Sequence, residues 1–224
     1  MKPPPLIYRP PTEPFLPLVH QDEDILVFDK PSGLLSVPGK TPDLADCVES
    51  RARRDWPDAL IVHRLDMDTS GLILMARNKR AQRIISGQFA KRITKKTYYA
   101  MVEGVPETDE GEITLPLIAD WPNRPRQMVC YERGKPAKTL WQVVARYEGK
   151  SLIRLTPETG RSHQLRVHMA EIGHPILGDP FYAPPTALAA APRLMLHAAQ
   201  LSWRSPEDGE WDEVESKVPF TEVG

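Results

Sequence analysis

Apolar positions along this chain fall into short blocks whose period changes from one block to the next. The near-continuous apolar run in "DILVFDKPSGLLSVPG" predicts a buried strand over about Asp24 to Asp29, followed by a Pro-Gly turn region. In "DLADCVESRARRDW", Leu44, Cys47, Val48 and Ala52 lie near helical spacing, with Pro42-Asp43 as the start. "ALIVHRL" and "GLILMAR" read as buried strands on either side of the polar turn "DMDTS". "NKRAQRIISGQFAKR" predicts a helix capped by Asn78, with Ile84, Ile85 and Phe89 inward and its cations outward.

Further on, "KKTYYAMVEG" and "GEITLPL" are strands, and "RQMVCYERGKPAKTLWQVVARYEGKSLIRLTP" is a series of antiparallel strands joined by Gly-containing turns. "GRSHQLRVHMAEIG" is a second helix, with Ser162 as cap, Gly173 as stop, and Leu165, Met169 and Ile172 on its apolar side. Strand, turn and helix signals mix without a strict β-α repeat. The expected class is α+β, with a mixed, mainly antiparallel sheet flanked by helices.

Residues 1–20 hold seven prolines and read as an extended arm, leaving 21–224 as a single domain. The N-terminus carries Lys2 and prolines where a signal peptide would be apolar, and no run nears the roughly 20 apolar residues of a membrane span. Cys47 and Cys130 are isolated, which suits a reducing cytoplasm.

Lys and Arg total 29 against 30 acids, so net charge announces no partner, but the distribution does. Arg77, Lys79, Arg80, Arg83, Lys91, Arg92, Lys95 and Lys96 follow one another with no acid between them, whereas Ser205 to Gly224 holds seven acids and one Lys. The basic stretch runs straight into Tyr98 and Tyr99, and "DWPNRPRQ" adds Trp121, Arg124 and Arg126. Cations for phosphate beside aromatics for stacking are a nucleic-acid pattern, although a charged helix face is more often merely solvated.

Two constellations bear on chemistry. Asp66 stands where an apolar strand meets a tight turn, and a carboxylate there either caps turn amides or serves a reaction. Asp68 suits the turn role, and a shared-proton dyad is disfavoured because positions two apart at a turn diverge. In "TGRSHQLRVH", Arg166 lies between Leu165 and Val167, so its guanidinium can point inward and would then demand a carboxylate; Asp66 is the candidate. His63, His163, His168, His174 and His197 lack the close spacing of a zinc site, so no metal is expected. The basic-aromatic pattern names RNA or DNA and no reaction, so a non-catalytic RNA-binding or ribosome-assembly module and a metal-dependent hydrolase both stand as readings at this point.

Taken together, "KPSGLLSVPG", "HRLDMDTSGLILMA", "KKTYYA", "GRSHQLRVHMAEIGHPILGD" and "LMLHA" resemble, in order, the motifs of the RluA family of pseudouridine synthases. The loop "DWPNRPRQMVCYERGKPAKT" is most similar to the family's dual-specificity members. The resemblance implies isomerisation of a uridine in a large-subunit ribosomal RNA hairpin and of one in the anticodon loop of certain tRNAs. It implies the pseudouridine synthase fold with an RNA-binding cleft, no S4-like segment, no cofactor, no metal and a cytoplasmic monomer whose partner is RNA. Residue by residue, Asp66 matches the catalytic aspartate, Arg166 the cation that pairs with it, and Tyr98 the aromatic that stacks on the uracil. Arg64 matches the arginine that fills the space left by the flipped base. His63, Arg161, His163, Arg80, Arg83, Lys95, Lys96 and Arg124 are the further expected RNA contacts.

Overall fold

The computed structural model describes residues 8–220. In chain order the first elements are β1 (Leu18–Gln21), β2 (Ile25–Lys30), α1 (Val48–Asp55), β3 (Leu60–Ile61), β4 (Ser70–Ala76) and α2 (Lys79–Lys91). Next come β5 (Lys95–Glu103), β6 (Glu110–Thr114), β7 (Leu117–Ala119), β8 (Gln127–Val129), β9 (Lys138–Tyr147) and β10 (Lys150–Pro157). The last are α3 (Gln164–Glu171), α4 (Pro185–Ala189), β11 (Leu196–Arg204) and β12 (Trp211–Glu215). Antiparallel pairs joined by short turns, with helices inserted at intervals, make the fold α+β. The chain divides into two compact units.

The first unit runs up to Lys96 and takes in Ala198–Lys217. Its sheet is built on β4, all seven residues of which are buried. That explains the unbroken apolar run "GLILMA": a strand covered on both faces has no polar alternation. β2 lies antiparallel to it, from Ile25 opposite Ala76 to Lys30 opposite Gly71. β11 flanks β4 on the other side and carries β12. Gly71 has a φ of +108°, and a Cβ there would lie 2.2 Å from the Ala198 carbonyl oxygen, so a residue without a side chain is obligatory.

The expected Asn78 cap is present, its side chain accepting from the Ala81 amide. Ile85 is buried with Ile25, Val27, Leu72, Leu74, Leu201 and Trp203, and Phe89 packs against this cluster. Gln88 is also buried because its amide bonds both the nitrogen and the carbonyl of Arg204, at 2.8 and 2.7 Å. α1 starts later than expected, at a Cys47–Ser50 capping box, and Pro42–Leu44 forms a separate 3-10 turn. β3 is a two-residue, half-buried strand, shorter than the apolar run "ALIV" suggests.

The described part of the Pro-rich arm, from residue 8, is tied down. Arg51, 3% exposed, donates to the Pro11 and Phe15 carbonyls and pairs with Asp46. β1 begins at Leu18, inside the stretch expected as arm, and residues 1–7 of that stretch lie outside the described residues.

The second unit spans Thr97–His197 and resumes at Val218. β5, β10, β9 and β6 form a continuous antiparallel array, and β7 and β8 a separate hairpin. Ala100, Val102, Ile153 and Leu155 of the array bury their side chains with Leu165 and Met169 of α3. α3 is buried from Gln164 to Met169, all round rather than along one stripe. Its cap differs from expectation. His163, not Ser162, holds the cap position, in the left-handed conformation at φ 54°, and no side chain caps the helix. That turn starts the helical ladder at the His163 carbonyl, which accepts from Val167, and leaves Ser162 outside it, exposed.

Candidate active site

In the first unit, Asp66 opens a turn closed by the Thr69 amide donating to its carbonyl at 3.2 Å. Its side chain is half-buried. The loop after β2 grips this turn through backbone atoms. Lys30, with no exposed surface, donates from Nζ to the carbonyls of Pro31, Leu34 and Met67 at 2.8–2.9 Å. Gly33 donates its amide to Met67, Ser32 Oγ donates to the Asp68 carbonyl at 2.6 Å, and Ser36 Oγ both donates to the Leu65 carbonyl and accepts from its amide. Positions 65, 67 and 68 are thus fixed around Asp66, which holds the carboxylate's backbone in one place.

His63 is placed by packing. Its ring stacks on Phe89 with centroids 4.3 Å apart, and Nε2 accepts from the Leu74 amide at 2.9 Å. An imidazole nitrogen that accepts must be unprotonated. Burial, with the Lys96 charge adding to it, pushes the pKa down to about 3. Lys96 is itself half-buried, and burial lowers its pKa.

Several cations of the basic stretch, the expected contacts Arg80 and Lys95 among them, have protein partners. Arg80 pairs with Asp24 at 2.5 Å, Arg77 pairs with Asp58 at 3.1 Å, and Lys95 sits 4.5 Å above the Trp211 ring. The basic stretch is therefore less unopposed than its own composition suggests, because its counter-charges come from distant segments. Arg64 and Arg83 are exposed.

In the second unit, Arg166 points inward as expected and is 1% exposed. Its partner there is Asp179, which has no exposed surface and takes Nε at 2.7 Å and Nη2 at 2.6 Å. Asp179 also accepts from the amides of Phe181 and Tyr182. Gly178 permits this approach, since a Cβ there would lie 1.9 Å from the Arg193 carbonyl oxygen. The sequence signal for Asp179 is the demand of a buried guanidinium for a carboxylate; this pair stands beside the expected pairing of Arg166 with Asp66 and does not replace it. Lys30 was signalled too, as a lysine ending a strand otherwise buried.

Around Arg166, the guanidinium lies 5.1 Å from the Phe181 centroid and 5.3 Å from that of Tyr182. His163 stacks on Phe181 and hydrogen-bonds Tyr182 Oη at 2.7 Å. The same oxygen accepts from the Gln127 amide at 2.7 Å, and burial pushes the phenol up to about 12. Arg161 donates from Nε to the Pro136 carbonyl. His168 is buried between Thr139 and the Leu115 carbonyl, and burial lowers its pKa. Tyr98, half-buried on β5 opposite Leu155, packs against the second unit's core. Arg124 stacks on Trp121 with 3.1 Å to the ring centroid.

Asp66, Arg64, His63, Arg80, Arg83, Lys95 and Lys96 thus belong to one unit, and Tyr98, Arg124, Arg161, His163 and Arg166 to the other. Among the described residues, no three His, Cys, Asp or Glu side chains converge as a metal site. No helix there is long and apolar enough to cross a membrane.

Comparison with known proteins bears on the same motifs. Residues 24–171 match the family model described as RNA pseudouridylate synthase. The chain is 56% identical over 205 residues to the dual-specificity RNA pseudouridine synthase RluA of Pasteurella multocida, covering 91% of this chain and 94% of that one. To the RluA of Escherichia coli K12 it is 55% identical over 204 residues, 90% of this chain and 93% of the other. Among solved structures, human RNA pseudouridylate synthase domain containing 1 superposes with a TM-score of 0.77 at 30% identity, over 95% of this chain and 87% of that one.

Proposed function

Because the chain belongs to the RNA pseudouridylate synthase family, we propose that Asp66 is the essential oxygen in its isomerisation of uridine to pseudouridine. Its substrates on this reading are a hairpin of large-subunit ribosomal RNA and the anticodon loop of certain tRNAs. The RluA name of the relatives supports dual specificity, and "DWPNRPRQMVCYERGKPAKT" supports it in the sequence.

The reaction breaks the bond from N1 to the sugar carbon C1′ and joins C5 to that carbon. A proton leaves C5 and one is gained at N1, with no net change of atoms or oxidation state. It requires an ionised oxygen held at a fixed point beside the ribose, acting as nucleophile or base. The observation that carries the assignment is the immobilised turn: Lys30, Ser32, Gly33 and Ser36 bond the backbone on both sides of Asp66.

Arg166 is assigned as the counter-charge that keeps the carboxylate ionised during the reaction, with Asp179 orienting its guanidinium. Reaching the ribose means extruding the nucleotide, at a cost of a few kcal/mol of unstacking. Stacking on Tyr98, worth about 1–3 kcal/mol, and entry of Arg64 into the vacated space offset that cost. The enzyme acts as a cytoplasmic monomer on this reading, with Arg161, His163 and the exposed cations along the RNA.

The test is tritium release from RNA carrying C5-labelled uridine. Asp66→Asn is expected to release none above background on either RNA, and turnover at the wild-type rate refutes the assignment. Pseudouridine mapping in cells with and without the gene then decides between two substrates and one.

A further inference from the structure

The hairpin of β7 and β8 carries a surface that the chemistry at Asp66 leaves unexplained. Its strands pair from Leu117 opposite Val129 to Ala119 opposite Gln127. At the tip, the Asp120 amide donates to Arg126, Asn123 to Asp120, and Arg126 to Asn123, all at 3.0–3.1 Å. Pro122 and Pro125 stiffen the turn further. On this closed tip Trp121 is 66% exposed, and Arg124 rests against its ring. Every residue from 121 to 126 is exposed, and two of them are arginines. An open indole on a rigid tip, in a stretch 121–126 that carries two arginines and no acid, suits a flat ring attached to phosphate better than a protein's apolar side chain.

The root of the hairpin is tied to the helix that bears Arg166. Tyr182 Oη accepts from the Gln127 amide at the start of β8 and hydrogen-bonds His163 at the start of α3. Arg126 lies over the same tyrosine, 5.3 Å from its centroid. The tip is therefore carried by a fixed support.

We propose that Trp121 is a base-stacking site: an unpaired nucleotide of the substrate RNA, other than the target uridine, lies on the indole, while Arg124 pairs with its phosphate. This deepens the proposed function and rests on RNA being the substrate. It makes the hairpin tip a determinant of which loops are accepted, separate from the residues that act on the target.

The experiment measures binding of an anticodon stem-loop and a ribosomal RNA hairpin to the full chain carrying Asp66→Asn. Pseudouridine formation by wild type is assayed in parallel. Adding Trp121→Ala is expected to weaken binding by about 5- to 150-fold, the range of one base–aromatic stack. Trp121→Phe is expected to recover most of that loss. Arg124→Ala is expected to lower the salt dependence of binding by about one phosphate contact, whereas Trp121→Ala leaves the salt slope unchanged. When loop bases are removed one at a time, one abasic position should erase the difference in affinity between the proteins with and without Trp121→Ala.

Unchanged affinity with Trp121→Ala overturns the proposal and favours a protein partner for the tip. So does a loss that persists at every abasic position. Wild type that forms no pseudouridine, in a protein whose RNA affinity still depends on Trp121, refutes the enzyme reading and leaves the stacking site standing.

Discussion

Replacing Lys30 by Met tests how the Asp66 turn is held. The change keeps the buried stem and removes the ammonium with its bonds to Pro31, Leu34 and Met67. Hydrogen bonds from a charged donor contribute about 1.5–3 kcal/mol each, so three give an upper limit of about 5–9 kcal/mol. Two corrections reduce this. The Met67 carbonyl keeps the Gly33 amide, and the variant no longer has a charge to desolvate. A net loss of about 3–5 kcal/mol remains, the range found when one partner of a buried charged contact is removed.

Because these bonds join one loop to one turn, much of the loss should appear as local opening. Hydrogen exchange at the Gly33 and Leu65 amides, which bond Met67 and Ser36, should accelerate by about 100- to 1,000-fold. On the proposed mechanism, turnover should fall more than RNA binding. If Lys30→Met keeps wild-type stability, leaves both amides protected and turns over normally, Lys30 does not position Asp66 and the account of the turn is wrong.

Two further outcomes follow from the buried groups. Asp179→Asn removes the carboxylate that Arg166 engages through Nε and Nη2, and should cost about 3–5 kcal/mol in chemical denaturation. A variant as stable as wild type would show that the guanidinium does not depend on Asp179. His63 stays neutral in the fold because its pKa is pushed down to about 3, whereas the unfolded chain takes up a proton near 6.5. The unfolded state thus binds more protons between those values, so stability falls as pH drops below 6.5 and is unaffected by this group above it. The loss should reach about 2 kcal/mol by pH 5, and should be absent from the same titration of His63→Phe. Parallel curves for the two proteins would refute the assignment.

Local features were legible in the sequence and distant pairings were not. The Asn78 cap, the buried β4 and the stop at Gly173 depend on neighbours a few residues away, and each stands as read. The start of α3 was misplaced because a left-handed residue at 163 has no side-chain signature when it is not glycine. Arg166 reads as interior from its two apolar neighbours, whereas its pairing with Asp179, 13 residues on and across a glycine whose conformation brings it back, has no local signal. In the same way, Arg80 looks unopposed until Asp24 arrives from 56 residues earlier. In the candidate site, motifs name the residues proposed to act. The grip of Lys30 on three carbonyls has no counterpart in the sequence, because a backbone acceptor carries no residue identity.

Gly71 has a consequence for how such an enzyme diversifies. With β11 pressed against that position and Thr69 bonded back to Asp66, the five-residue step from carboxylate to strand has no slack for insertion or a bulkier side chain. Divergence among relatives in the RNA they accept is then confined to parts that can vary without shifting the reactive oxygen. A lineage would change its targets by editing outlying loops while its chemistry stayed frozen.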